Sequence, residues 1–435
     1  FLNTYFNDPS SIMKVALINT YETKGGAAVA CKRLAIALQK QGLEVTMMVR
    51  DQSSSDPFVY PIAHSPILKA KGYLAFILER WQIFLYNRFE RKNLFTVSTA
   101  STGLSLHTNP KILEADIIHL HWINQGFLTL NELRHLFQLG KPVFWTMHDL
   151  WPVTGICHYP GQCHYFRESC GNCHLLKSPS SNDLSRKVFQ QKKNRYKGLD
   201  IHFVACSNWL KQEAMTSALN PGHTFQNIPN PIDTTWYHPG NQLEARINLG
   251  LPTHKKLILF GAQIATDKRK GIDYLIQTTN LLSDLKDEVE LVHFGQIKEK
   301  MAEVFGLHTH ALGYISDPET VVTMYQAADC FVIPSLEENL PNMIMEAMAC
   351  GVPCVGFDTG GIPEMIQHEH TGYIARYKSS EDLAKGIRWV LSKNNDLQFK
   401  QAVRQSVLEK YAEPIVAERY IKLYQEALKN DITTR

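Results

Sequence analysis

Short apolar runs alternate with amphipathic stretches along most of the chain. Residues 13–19 (MKVALIN) form a nearly continuous apolar run, closed by the polar stretch Tyr21–Gly26. Such a run predicts a strand covered on both faces, as in a parallel sheet. Gly25-Gly26 opens AAVACKRLAIALQKQG, whose apolar residues recur at helical spacing up to Gly42. EVTMMV then predicts a second strand. Strand, glycine turn, helix, strand is the opening of a doubly wound α/β domain. Further strands are predicted at Ile117–Leu120, Pro142–Met147 and Ile201–Ala205.

Pro and Asn crowd the stretch NIPNPIDTTWYHP at 227–239, which marks a linker. The alternation then restarts. Strands are predicted at Lys256–Ala262, Val289–Phe294, Cys330–Ile333 and Pro353–Phe357. Helices are predicted at Gly271–Leu282, Glu319–Ala328 and Asn342–Ala349. An amphipathic helix near Pro414–Leu428 ends the chain. The expectation is an α/β protein of two Rossmann-like domains, 13–238 and 239–412, facing each other across a cleft. The last segment, 413–435, is expected to return to the first domain through Tyr420 and Tyr424.

One stretch breaks the pattern. Residues 66–92 read as a long helix that mixes Tyr73, Phe76, Trp81, Phe84, Tyr86 and Phe89 with Lys69, Lys71, Arg80, Arg88, Arg91 and Lys92. Its apolar stripe is expected to cap the first domain. The second reading is contact with an anionic membrane surface beside a lipid-linked acceptor.

A length of 435 residues suits two domains, and 44% hydrophobic with 20% charged residues describes a globular chain. A net charge of +3 with no concentrated basic patch argues against nucleic acid as a partner. No apolar run reaches the roughly 18 residues that a membrane-spanning helix needs. Residues 1–12 lack the basic start and apolar core of a signal peptide, and order is expected from Met13. Nine cysteines, five of them single within apolar or helical runs, fit a reducing, cytoplasmic setting better than a disulfide framework.

Candidate chemistry concentrates in residues 329–364 (DCFVIPSLEENLPNMIMEAMACGVPCVGFDTGGIPE). Glu338 follows a strand, and Glu346 lies inside the next helix. Ligands of open α/β sheets bind at strand carboxyl ends, where a helix N-terminus can receive phosphate. Carboxylates there can accept hydrogen bonds from the paired hydroxyls of a sugar or ribose. Spacing alone leaves open that Glu338 is a solvated loop charge and Glu346 a helix-surface residue.

This stretch resembles the Glu-x7-Glu signature of the retaining family 4 glycosyltransferases, which have the GT-B fold. The likeness continues through EAMACGVPCV, TGGIPEMI and HTGYI. It implies that Glu338 contacts donor-sugar hydroxyls and Glu346 the nucleotide ribose. It also implies that Asn339, Leu340 and Pro341, with the helix that follows, receive the diphosphate of a UDP- or GDP-sugar. The family's Gly-aromatic-Gly turn is replaced here by Asn339-Leu340-Pro341.

Asp267-Lys-Arg-Lys-Gly271 places cations near a strand end, where a departing diphosphate would develop charge. Lys270-Gly271 matches the family's second basic element. The first, an arginine just after the strand, is missing, with Gln263 near that place and Arg269 as the candidate substitute. In the first half, the resemblance implies a loop at Gly25-Gly26 near diphosphate and acceptor. WTMHDLWP resembles a family pattern whose histidine, here His148, reaches the donor sugar, with Asp149 orienting the loop. His121 is an open candidate, and His119 is expected to face the fold. Cys157, Cys163, Cys170 and Cys173 fall within seventeen residues, which fits either a structural zinc ion or four reduced thiols packing a loop. No Asp-x-Asp pair occurs to hold a catalytic metal.

The expected reaction is transfer of a sugar from a nucleotide sugar to a glycan or lipid-linked acceptor, with retention and without a catalytic metal. The expected place is the cytoplasm, at the inner face of the membrane. The alternative is a nucleotide-sugar-binding or scaffolding protein of the same fold with impaired catalysis.

Overall fold

The computed structural model describes residues 12–220, 222–264, 267–296 and 304–434, without the side chains of 262–264, 296 and 431–434. The first eleven residues of the chain thus lie outside the described part, as does the Gln263 side chain. Two compact units emerge: one runs to Pro229 and resumes at Val416, and the other is Asn230–Ile415.

The first unit holds β1 (Lys14–Tyr21), β2 (Glu44–Asp51), β3 (Val59–Pro61), β4 (Ile117–Leu120), β5 (Val143–Met147), β6 (His202–Ala205) and β7 (Thr224–Asn227). They form one sheet in the order β3-β2-β1-β4-β5-β6-β7, and every pairing is parallel. Side chains of β1 alternate between two cores, as a pleated strand requires. Val15 and Leu17 pack with Leu34 and Leu38 of the helix Gly26–Lys40, and with Tyr420 and Tyr424. Ala16 and Ile18 join the opposite layer with Leu120, Trp145 and Met147. Tyr420 and Tyr424 sit on the last helix, Glu413–Thr434. The Tyr424 hydroxyl is 2.6 Å from His119 Nδ1, and that of Tyr420 is 3.0 Å from Thr146 Oγ1.

The second unit holds β8 (Lys256–Ile264), β9 (Val289–Gln296), β10 (Thr309–Ala311), β11 (Cys330–Ile333), β12 (Cys354–Phe357) and β13 (Gly372–Ala375). Their order is β10-β9-β8-β11-β12-β13, again all parallel. Both sheets therefore reverse their winding beside their first strand, between β1 and β4 and between β8 and β11. These switch points are where open α/β sheets leave a crevice for ligands.

The stretch at 66–92 departs from expectation twice. Its helix is Pro66–Tyr86, because Arg88 and Phe89 take positive φ of 51° and 62° and turn the chain away. Its apolar stripe does not cap the unit. The buried stripe is instead Gly72, Ala75, Glu79, Arg80 and Ile83. Glu79 Oε1 accepts from the amides of Thr99 and Ala100 at 2.8 and 2.9 Å. Arg80 donates to Glu79 at 2.8 Å and to the carbonyls of Leu94 and Val97 at 2.6 and 3.0 Å. A buried ion pair held by these hydrogen bonds fixes which face points inward, because leaving either charge unpaired would cost several kcal/mol.

Candidate functional site

At the β8/β11 switch point three loops are tied together. Strand β8 runs into the short turn Lys268–Lys270, and the helix Ile272–Leu281 follows. The Leu336 amide donates to the Arg269 carbonyl at 2.7 Å, joining the loop after β11 to the loop after β8. Gly271 permits this approach. Its φ is +66°, and a β-carbon there would stand 1.8 Å from the Pro334 carbonyl oxygen. The loop after β12 closes on the other side: Gly361 N donates to the Glu338 carbonyl at 3.2 Å, and Thr359 Oγ1 to that of Leu336 at 3.1 Å. Gly360, at φ +57°, would drive a β-carbon to 1.7 Å from the Glu338 carbonyl oxygen.

These constraints put Lys270 and Glu338 in contact. The Lys270 ammonium donates to Glu338 Oε1, which also accepts from Ser335 Oγ at 3.3 Å. Both glutamates of the motif are buried, at 9% exposure each. Neither is the solvated charge that spacing alone left open. Glu346 lies on the helix Asn342–Ala349, and its Oε2 accepts from the Tyr325 hydroxyl at 2.9 Å. Burial, and then the Glu346 carboxylate, push the Tyr325 hydroxyl well above its ordinary pKa, so it remains a donor. Asn339, Leu340 and Pro341 are buried between the two glutamates, at the start of that helix. Arg269 turns back on its own loop, with Nη2 2.7 Å and Nε 3.2 Å from the Asp267 carboxylate.

In the first unit, Gly25 caps the helix Gly26–Lys40 at φ +90°, and no atom lies within 4 Å of where its β-carbon would be. The preceding turn is anchored by buried Glu22, which accepts from Lys32 Nζ at 2.7 Å and from the amides of Ser53 and Ser54 at 2.6 and 2.8 Å. Beyond β4 and β5, His121 Nδ1 and His148 Nε2 are 3.0 Å apart. His121 is 3% exposed, whereas His148 is half-buried, so His148 has the better access to a ligand. His119 is fully buried, between Tyr424 and Thr146 Oγ1 at 2.7 Å. Burial lowers all three imidazole pKa values, so the cluster is neutral. Asp149 accepts from Trp122 Nε1 at 3.0 Å, the Trp151 amide at 2.8 Å and His158 Nδ1 at 2.8 Å. Burial alone would raise its pKa, but His158 and these donors outweigh it and hold the carboxyl below its usual value.

Cys157, Cys163, Cys170 and Cys173 line one small cavity together with His174 and Ser185, and all nine cysteines are free thiols. Among the described residues, the sets with ligand atoms within 4.8 Å of one another are His107–Glu132–His135 and Glu290–His308–His310; the cysteines are not among them.

Sequence reading missed Tyr325 and Ser335. Tyr325 sits on another helix and carries no signal in sequence distance. The loop after β12 was visible as TGGIPEM, but its grip on the Glu338 backbone was not.

Two family models match the chain in succession. The model described as Glycosyltransferase Family 4 matches residues 24–236, and the one described as Glycosyl transferases group 1 matches 241–406. This is a family 4-like glycosyltransferase. It is similar to an uncharacterised glycosyltransferase of Methanocaldococcus jannaschii, with 25% identity over 96% of this chain and 99% of that one. Its fold is similar to that of sucrose-phosphate synthase from Thermosynechococcus elongatus, with a TM-score of 0.65 at 17% identity, covering 96% of this chain and all of that one. It also resembles HepE of Anabaena, solved in complex with UDP-glucose, with a TM-score of 0.61 at 15% identity over 95% and 100% of the two chains. In this glycosyltransferase Lys270, Glu338 and Glu346 lie within the group 1 match. Gly25, Gly26, His148 and the four cysteines lie within the family 4 match.

Proposed function

We propose that this glycosyltransferase moves a hexosyl group from a nucleoside-diphosphate sugar to a glycan or lipid-linked sugar acceptor, with retention and without a catalytic metal. The observation that carries the reading is the Lys270–Glu338 pair beside the Tyr325–Glu346 pair at the β8/β11 switch point. Lys270 sits where an arriving diphosphate can exchange for the Glu338 carboxylate. Glu338 is then left to accept hydrogen bonds from sugar hydroxyls. Glu346, held by Tyr325, takes the ribose hydroxyls. The helix starting at Asn342 turns its positive end toward the phosphates. Arg269, released from Asp267, adds a second cation. In the first unit, Gly25-Gly26 leaves room for a close backbone approach, and His148 carries a neutral imidazole.

The bond from the anomeric carbon to the diphosphate oxygen breaks while the acceptor oxygen bonds on the same face. The acceptor proton passes to the leaving diphosphate. The protein then acts by orienting the reactants and stabilising the charge that develops on that diphosphate. The likeness to a fold solved with UDP-glucose supports trying UDP-sugars first. The working place is the cytoplasmic face of a membrane.

The test is a thermal-shift panel of UDP-, GDP- and ADP-sugars, followed by acceptor assays with the donor that binds. A ligand at about 100 times its Kd stabilises by about 2.7 kcal/mol. One nucleotide should raise the melting temperature of the wild type and not of Glu346→Ala. Glu338→Gln should bind the nucleotide and lose transfer. A folded wild type indifferent to every nucleotide sugar would overturn the reading.

A further inference from the structure

The helix Pro66–Tyr86 is inverted relative to ordinary surface helices. Its inward stripe carries the Glu79–Arg80 pair, and its outward side is apolar. Ile67 is 81% exposed, Tyr73 67%, and Leu74 and Trp81 53% each. Ile77, Leu78, Leu85, Tyr86 and, past the helix, Phe89 and Phe95 are exposed as well. Leu74, Ile77, Leu78, Trp81 and Leu85 follow helical spacing, so they form one stripe of about 16 Å at 1.5 Å per residue. Isolated exposed apolar residues need no explanation, but a contiguous stripe marks a surface with a partner.

The charges around the stripe say which partner. Exposed Lys69 and Lys71 stand at one end, and exposed Arg88, Arg91 and Lys92 at the other. Glu90 is the one acidic side chain in the segment besides Glu79, which is buried in its pair with Arg80. A second copy laid along this face, in either direction, would set cations against cations without acids to match them. An anionic bilayer matches both parts. Its acyl boundary takes Leu74, Leu78, Trp81 and Leu85, and its headgroups take the lysines and arginines. Trp81, Tyr73 and Tyr86 are the residue types that prefer that boundary.

We propose that residues 67–95 form a docking surface for an anionic lipid bilayer, with the helix lying in the plane of the interface. No described helix is long and apolar enough to cross a membrane. The proposal concerns docking alone and stands whether or not the chain transfers a sugar.

The experiment is co-sedimentation of the full chain with vesicles of phosphatidylcholine alone or mixed with phosphatidylglycerol. The wild type should bind the mixed vesicles and bind the neutral ones at least tenfold more weakly. Leu78→Glu with Trp81→Glu should weaken binding more than tenfold and keep the wild-type melting temperature, because both side chains already face outward. Arg88→Ser, Arg91→Ser and Lys92→Ser together should weaken it about a hundredfold, at roughly fivefold per cation. The proposal fails if the wild type ignores the anionic vesicles, or if the folded double variant binds them as well as the wild type does. It also fails if the wild type is a dimer by ultracentrifugation that the double variant dissociates, while neither binds vesicles.

Discussion

Gly271→Ala tests how the donor-side loops are built. A methyl group at this position meets two costs. Alanine at φ +66° is strained by about 1–2 kcal/mol. Its β-carbon would also overlap the Pro334 carbonyl oxygen, 1.8 Å away, so the loop after β11 must move. Forcing atoms into a packed site costs about 1–3 kcal/mol more. The sum is about 2–5 kcal/mol. For a unit of about 190 residues the unfolding entropy is roughly 0.4 kcal/mol/K, so the melting temperature should fall by about 5–12 °C. Gly25→Ala is the matched control. Its φ is +90°, but nothing lies within 4 Å of the added carbon, so only the conformational cost applies. That gives a fall of about 2–4 °C for the larger unit. Differential scanning calorimetry of both variants reads the comparison directly. The Gly271 variant should also lose about a hundredfold in kcat/KM, because Lys270 and Glu338 no longer meet. A Gly271→Ala protein that melts no lower than Gly25→Ala would refute the close approach and the reasoning built on it.

Tyr325→Phe should lower stability by about 1.5–3 kcal/mol, because the hydroxyl donates to a buried carboxylate, and it should weaken nucleotide binding in a thermal-shift titration. Lys270→Ala should lower kcat/KM at least a hundredfold, with Lys270→Arg recovering part of it, as measured by transfer kinetics with saturating acceptor. His119 and His121 are held neutral by burial, His119 with its pKa lowered to about 3. The unfolded chain takes up those protons near pH 6.5, so their contribution is intact above that pH and is lost as pH falls. The loss should reach about 3 kcal/mol by pH 5.5 in urea titrations, and His119→Asn should flatten the slope. If the cysteine cavity holds zinc, metal analysis of the purified chain should give one equivalent, lost in Cys170→Ser with Cys173→Ser. Nine titratable thiols under denaturing conditions and no zinc would leave the cluster as packed thiols.

Much of this architecture was legible in the chain itself. Interior strands such as β1, β4, β8 and β11 are covered on both faces, so their apolar runs announce them within a residue or two. The Glu338 and Glu346 spacing, the Lys270-Gly271 pair and the glycine turn at Gly25 were visible for the same reason: each is local, and each follows a strand that could be placed. The strands the sequence did not reveal are β3, β7, β10 and β13, which are the four edges of the two sheets. An edge strand is only partly covered, so segments such as β7 (TFQN) and β10 (THA) carry no apolar run to set them apart from a loop.

Tertiary structure decided what depends on distant residues meeting. Tyr325 reaches Glu346 from another helix, and the Gly361 amide grips the Glu338 carbonyl from the loop after β12. The orientation of the helix Pro66–Tyr86 is the clearest case. Periodicity showed an apolar stripe, and a stripe by itself predicts its own burial. The amides of Thr99 and Ala100 and the carbonyls of Leu94 and Val97 hold Glu79 and Arg80 inside instead. With that pair held inside, the face carrying Ala75, Glu79, Arg80 and Ile83 became the buried one, and Leu74, Leu78, Trp81 and Leu85 were left outward.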